Sequence, residues 1–201
     1  TTNDEALWRT MWSFKDHGKS YEAVYERQHP PGFRWLHENF GTNWRMLEMQ
    51  AAIGRIQLKR MGVWMAARQA HATALASSLS PFVNDGGCIR LPLLDESQGN
   101  LHAQYKFYAY VRPENLAKDW SRDRIIEQIN DHGVPCYQGS CSEVYLEKAF
   151  DGTNLRPAQR LPIARVLGEN SLMFLVHPTL TDAEIQKTCD VISQVLSLAQ
   201  A

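Results

Sequence analysis

The residues best suited to bind an anion lie between Gly41 and Arg45. Gly41 permits a tight turn, and the planar guanidinium of Arg45 can bind a phosphate or a carboxylate through two parallel hydrogen bonds. Between them, Asn43 carries an amide that also suits the residue before a helix, because asparagine is a common N-cap. From the residues alone, two interpretations stay open: an anion site, or an N-cap followed by a surface cation.

The cysteines and histidines do not form a metal-binding pattern. The chain has no Cys-x-x-Cys pair and no histidine at zinc-finger spacing from its four cysteines, Cys88, Cys136, Cys141 and Cys189. Such spacing supports neither a zinc site nor a redox motif. We therefore expect no metal and reduced, structural thiols.

Composition limits the possible partners. The 201 residues are 44% hydrophobic, and 21 Lys and Arg against 22 Asp and Glu give a formal charge of -1. This balance gives no attraction to nucleic acid or to an anionic membrane, and no apolar run is long enough to cross a bilayer. No signal peptide is recognisable either, so we predict a cytoplasmic protein. Because Thr1 is not an initiator Met and Thr2 and Glu5 already have capping-box spacing, we expect a piece of a longer protein.

The first 80 residues read as helical. Apolar residues at helical spacing predict a first helix over residues 4–14, stopped by His17-Gly18, and a second, long helix over 45–80, ended by Pro81. Between them, residues 19–40 read as a long loop rich in aromatic side chains. Loops of this length in compact domains usually carry function or form an interface.

The rest of the chain alternates strands with helices. Strands are predicted over residues 88–94, 104–111, 134–137 and 171–176, and helices over 121–131, 143–150, 157–167 and from the capping box at Thr181 and Glu184 onward. This order favours an α+β sandwich, a small sheet covered by helices on one face. We place a boundary near residues 80–84.

Several segments, in order, resemble the DegT/DnrJ/StrS sugar aminotransferases. Residues 41–54 are similar to the G-x-N-x-R-M-x-x-x-Q-A-A-x-G segment of that family. Residues 2–7 resemble the T-N-D-E-x-L that follows its G-E-G-G turn, His17-Gly18 its H-G, and residues 176–182 its L-x-H-P-x-L-T-D. The resemblance covers nearly the whole chain.

The resemblance implies an α/β fold, the C-terminal part of a fold type I aminotransferase that uses pyridoxal 5'-phosphate (PLP). Residues 1–80 would be the end of the large domain and the long connecting helix, and residues 81–201 the small C-terminal α+β domain. The implied reaction moves an amino group, usually from glutamate, to a nucleotide-linked keto sugar. It would serve the biosynthesis of cell-surface polysaccharide, such as lipopolysaccharide, or of secondary-metabolite sugars.

The resemblance also implies roles for particular residues. Enzymes of this family work as homodimers in which two subunits share each active site, and the asparagine matching Asn43 reaches the cofactor phosphate of the neighbouring subunit. The matching Arg45 lies close enough to touch substrate. His37 is a further candidate for contact with the neighbouring active site, because it lies in the aromatic loop and long interface loops often carry function.

The lysine that forms the Schiff base with PLP lies upstream of the G-E-G-G turn in the family. Lys15 follows Ser13-Phe14, as the family lysine follows an S-F element, but it stands at a helix end, where relatives have an ordinary basic residue. An activated lysine needs a desolvated site, so we assign no catalytic residue to this chain. We expect residues 1–201 alone to be inactive.

The predicted substrate side departs from the family. Where many relatives carry an H-Y-x-P-x-H run, residues 135–145 match only approximately, at Tyr137, and lack the histidines. Residues 138–142 are either a polar substrate loop or a turn with Ser142 capping a helix. Two other functions stay open: a pyridoxamine-dependent sugar dehydratase, which has histidine in place of the lysine, and a non-catalytic regulator or scaffold.

Overall fold

The structure is a computed structural model that describes residues 1–92 and 99–201. These residues divide into two units, Thr1–Arg60 and Met61–Ala201. The first unit begins with α1, Glu5–Lys15. Its N-cap is Asp4, whose carboxylate accepts a hydrogen bond of 2.9 Å from the Leu7 amide. The capping box predicted at Thr2 and Glu5 is therefore wrong, because the Asp4 carboxylate takes the capping position.

The predicted loop over residues 19–40 contains a short helix, α2, Tyr21–Tyr25. Ser20 caps it by accepting a hydrogen bond of 3.2 Å from the Ala23 amide. The Tyr21 ring packs edge-on against α1, 5.0 Å from Trp8 and 5.3 Å from Trp12 between ring centroids. Five residues are too few to show a helical period in the sequence. The aromatic contacts with α1 therefore stabilise this short helix.

The long helix is confirmed with a shorter N-terminal end. α3 spans Glu48–Leu79, and Ser80–Phe82 follow as a 3-10 turn that contains Pro81. Asn43 lies five residues before Glu48, so it is not the N-cap of α3. At the helix start, the Leu47 amide instead donates a hydrogen bond of 2.9 Å to the Gln50 side chain.

The strands of the described residues form an antiparallel sheet in the second unit. They are β1, Ile89–Arg90; β2, Phe107–Val111; β3, Cys136–Tyr137; and β4, Ser171–Phe174, in the order β1-β2-β4-β3. β2 and β4 pair with Ala109 opposite Leu172, and both side chains are fully buried. The predicted first strand is shorter than expected, and its residues 93 and 94 lie outside the described residues.

Two helices supply most of the core that faces this sheet. α4 spans Arg122–Asp131 and α6 spans Asp182–Ala199, and their inner faces bury Ile125, Ile129, Ile192 and Leu196 completely. The capping box of α6 is confirmed, since Thr181 and Glu184 bond to each other's backbone amides. The predicted N-cap Ser121 of α4 is also confirmed.

The region between β3 and β4 differs from the prediction. In place of a helix over residues 143–150 there are two 3-10 turns, Val144–Leu146 and Lys148–Phe150, and Ser142 caps neither. α5 spans Pro162–Asn170, starting at a proline whose fixed φ suits the first turn of a helix. In the part of the chain that the structure describes, no helix combines the length and hydropathy that a bilayer requires. The division into residues 1–80 and 81–201 stays a prediction.

Candidate functional site

In the first unit, the segment that follows α1 pairs with the segment that contains Asn43. The Thr42 amide donates to the Phe14 carbonyl at 2.7 Å, the His17 amide to Thr42 at 2.9 Å, and the Trp44 amide to Lys15 at 3.1 Å. Asp16 and Asn43 are paired as an isolated antiparallel bridge. This pairing fixes the backbone of Asn43 against the end of α1.

Two glycines permit this close approach. Gly18 has a φ of +81°, and a Cβ added there would overlap the backbone carbonyl of Asn39. A Cβ added at Gly41 would lie 2.7 Å from the Phe14 carbonyl oxygen. Glycine is therefore required at both positions, because a Cβ at either one would clash with neighbouring backbone atoms. At Gly18 the positive φ also disfavours any residue with a side chain.

Asp16 is the centre of a charged cluster at this crossing. Its carboxylate forms an ion pair with Arg45, lies 3.5 Å from the Lys19 ammonium and lies 3.2 Å from Nδ1 of His17. Burial acts to raise the pKa of Asp16, but the hydrogen bonds from Arg45 and His17, together with the charge of Lys19, lower it to about 2. Asp16 is therefore ionised at neutral pH.

The structure brings together three of the four predicted site residues. Arg45 forms an ion pair with Asp16, and the Asp16 backbone is bridged to that of Asn43. His37 is bridged to Lys19, with its ring 6.4 Å from that of His17. Lys15 is the last residue of α1, and its ammonium lies 5.8 Å from the centre of the Trp12 ring. Sequence reasoning missed Asp16 and Lys19, although both flank the His17-Gly18 motif.

This arrangement suits the binding of an anion. The carboxylate of Asp16 lies beside two basic side chains, Lys19 and Arg45, so basic groups outnumber acidic ones in this cluster. Asn43 and Arg45 are both exposed, and 49% of the Arg45 side chain is accessible. Asn43 and Arg45 lie two residues apart in the sequence, and amide and guanidinium donors match the acceptor oxygens of a phosphate. The residues therefore fit the phosphate group of a cofactor such as PLP.

Tyr137 belongs to the second unit, where it ends β3 and leads into the predicted substrate loop. Its side chain is exposed, and the residue pairs with Met173 of β4. The loop after it is fixed by hydrogen bonds: Ser171 donates to the Gln138 carbonyl at 2.5 Å, and the Ser140 amide donates to the Tyr108 hydroxyl at 3.2 Å. A hollow of about 470 Å³ lies along residues 138–143.

A second charged cluster closes this loop at Glu143. Arg160 forms an ion pair with Glu143, and the Tyr145 hydroxyl donates to the same carboxylate at 2.6 Å. The hydrogen bonds from Arg160 and Tyr145 lower the pKa of Glu143 to about 2. Glu143 is almost inaccessible to solvent, so this cluster anchors the loop rather than offering a free base.

The thiols and possible metal ligands do not add a site. All four cysteines are free, and burial raises the pKa of Cys136 to about 12, whereas Cys141 is exposed. Within residues 1–92 and 99–201, no three His, Cys, Asp or Glu side chains are grouped as metal ligands.

The fold is that of the fold type I aminotransferases. Over residues 1–193 the chain matches the DegT/DnrJ/EryC1/StrS aminotransferase family, and it belongs to that family. NtdA from Bacillus subtilis, which is 22% identical with a TM-score of 0.68 over 98% of this chain and 41% of that one, was solved with its cofactor PMP bound. The predicted resemblance and fold class are thereby confirmed.

Three similar proteins illustrate the relationship. The aminotransferase from Psychrobacter cryohalolentis is 60% identical with a TM-score of 0.87, over 98% of this chain and 50% of that one. GDP-perosamine synthase of Caulobacter vibrioides is 24% identical over 98% of this chain and 47% of its own length. Erythromycin biosynthesis sensory transduction protein EryC1 of Saccharopolyspora erythraea is 29% identical over 74% of this chain and 36% of its own length. The chain thus spans less than half the length of these two curated relatives.

Proposed function

We propose that this chain is part of a PLP-dependent aminotransferase that transfers an amino group, with glutamate as donor, to a nucleotide-linked keto sugar. Support comes from the family match over residues 1–193 and from the 60% identity to an aminotransferase. The likeness to GDP-perosamine synthase favours a sugar substrate. The reaction would take place in the cytoplasm. Its product would be used in the biosynthesis of a cell-surface polysaccharide or of a secondary-metabolite sugar.

The observation that carries the proposal is that Asp16 contacts both segments of the motif, Arg45 through an ion pair and Asn43 through a backbone bridge. In the proposed dimer, the Asn43 amide donates a hydrogen bond to the cofactor phosphate of the neighbouring subunit. Arg45 and His37 face the substrate of the same site, and Tyr137 borders the sugar. When bound, PLP supplies the electron sink and carries the amino group, while the protein holds and orients it.

No residue of this chain is proposed as the lysine that binds PLP covalently. Lys15 is an unsuitable candidate, because its ammonium lies over the Trp12 ring at the end of α1. A catalytic lysine needs a desolvated pocket that lowers its pKa. Residues 1–201 alone are therefore expected to be inactive.

The proposed homodimer is supported by exposed apolar side chains on the first unit. On α1, Leu7 and Met11 are 49% and 47% exposed, and on the first turns of α3, Met49 and Ile53 are 70% and 56% exposed. Apolar surface of this density usually contacts another protein surface. We expect it to be covered in the complete dimer.

The test is the visible absorption of the complete protein with PLP. A bound-cofactor band that decreases on addition of glutamate, followed by amination of a keto sugar nucleotide, is the expected result. Asn43→Ala should weaken PLP binding, whereas Asn154→Ala, an exposed asparagine in the second unit, should not. A protein that takes up no PLP would favour the scaffold, and a sugar product that has lost water without gaining nitrogen would favour the dehydratase.

A further inference from the structure

Arg45 lies on a segment without regular secondary structure. The backbone pairing continues to the Trp44 amide and α3 begins only at Glu48, so Arg45 itself lies in neither a helix nor a strand. An arginine in such a segment samples many rotamers. Binding a ligand restricts the side chain to one of them, which costs conformational entropy. Some other contact has to fix the guanidinium if it is to act beside Asn43.

Asp16 provides that contact. It is 29 residues away in sequence, and its side chain is only 13% exposed, against 49% for Arg45. Because the Asp16 backbone is also bridged to Asn43, one residue holds both the amide-bearing backbone and the guanidinium. A carboxylate enclosed to this extent needs charged or hydrogen-bonding partners, and Arg45 is one of them, together with Lys19 and His17.

We propose that Asp16 is a positioning residue that holds the Arg45 guanidinium beside Asn43, so that both bind the same phosphate. This proposal rests on the proposed function, in which Asn43 binds the cofactor phosphate and Arg45 lies beside the substrate of the same site, and it adds a contact between Arg45 and that phosphate. It assigns Asp16 a role opposite to the one its charge alone would have. A negative charge near an anion site repels the anion, yet here the carboxylate strengthens anion binding by preorganising the arginine.

The sign of the effect makes the proposal testable. If only charge mattered, Asp16→Asn would tighten the binding of an anion. If Asp16 positions Arg45, the same change frees one long side chain and weakens binding by about 2- to 13-fold, the cost of immobilising such a side chain. Asp16→Glu keeps the charge and the partner, and it should stay within about twofold of wild type.

The experiment titrates inorganic phosphate into the complete protein freed of PLP and follows binding by calorimetry and by the NMR signal of the Arg45 Nε–H group. Glu38→Gln is the matched control, since it also removes a carboxylate paired with an arginine, Arg27, from the same unit. The control should leave phosphate binding unchanged or slightly tighter. Far-UV circular dichroism and protection of the Trp44 amide report whether each variant keeps the paired segments.

A second measurement needs no variant. In the wild-type chain, the Arg45 Nε–H should be as ordered on the nanosecond timescale as the backbone, whereas that of Arg34, in the exposed aromatic loop, should be mobile. A mobile Arg45 would overturn the proposal even if Asp16→Asn did not fold.

The outcomes separate the two proposals. Weaker binding by Asp16→Asn, together with near-normal binding by Asp16→Glu, supports the positioning role. Equal or tighter binding by Asp16→Asn, while Arg45→Gln and Asn43→Ala bind weakly, overturns that role and leaves the anion site intact. Unchanged binding by Arg45→Gln and Asn43→Ala overturns the anion site and the role of Asp16 with it.

Discussion

Replacing Gly18 by alanine should open the crossing that positions Asn43. The added Cβ would overlap the Asn39 carbonyl, and the φ of +81° is unfavourable for any residue with a side chain. The conformation costs roughly 1 kcal/mol, and relief of the overlap costs roughly 1–3 kcal/mol more. We therefore expect Gly18→Ala to destabilise the paired segments by about 2–4 kcal/mol.

Gly152→Ala separates the two contributions. Gly152 has a similar φ of +73°, but a Cβ there would meet nothing within 4 Å. This variant should therefore cost only the roughly 1 kcal/mol of backbone strain. The difference between the two variants measures the steric contact alone.

Amide hydrogen exchange is the suitable assay, because it reports each segment separately. The Thr42 and Trp44 amides, which donate to Phe14 and Lys15, should exchange about 30 to 700 times faster in Gly18→Ala, since 1.4 kcal/mol corresponds to a factor of ten. Unchanged exchange at these amides in Gly18→Ala would refute the close-approach argument. If Gly18→Ala and Gly152→Ala lost the same stability, backbone strain would account for the whole effect of Gly18→Ala, and the steric overlap would contribute nothing.

Two further predictions concern the second unit. Because Arg160 and Tyr145 lower the pKa of Glu143 from 4.5 to about 2, the carboxylate stabilises the fold above pH 4.5, and this contribution is lost as the pH falls toward 2. The urea midpoint should thus fall between pH 6 and pH 3 less steeply in Glu143→Gln than in wild type, and a parallel fall would contradict the pairing. Cys141, which is exposed, should react rapidly with a thiol reagent at pH 8, while the buried Cys136, with a pKa of about 12, should react only on unfolding. Cys141→Ser should abolish the rapid phase, and a rapid phase that persists would place the reactive thiol elsewhere.

The sequence determined the elements whose signals are local. The capping box at Thr181 and Glu184 and the N-cap at Ser121 are confirmed, because a cap and its helix lie within a few residues of each other. The family could also be identified from the sequence, because its motifs are contiguous runs of residues such as 41–54. That run also identifies Asn43 and Arg45 as candidate site residues.

The contacts of those residues depend on how distant segments pack in the fold. Asp16 and Arg45 are separated by 29 residues, and no local pattern predicts that they pair. The same pairing makes Asn43 part of a bridge instead of a helix cap. Local propensities act over one or two turns, whereas the site is built where two distant segments pack, with glycine at the point of contact. The position of the charges around Asn43 is therefore a property of the fold, although the residues themselves could be recognised from their order in the chain.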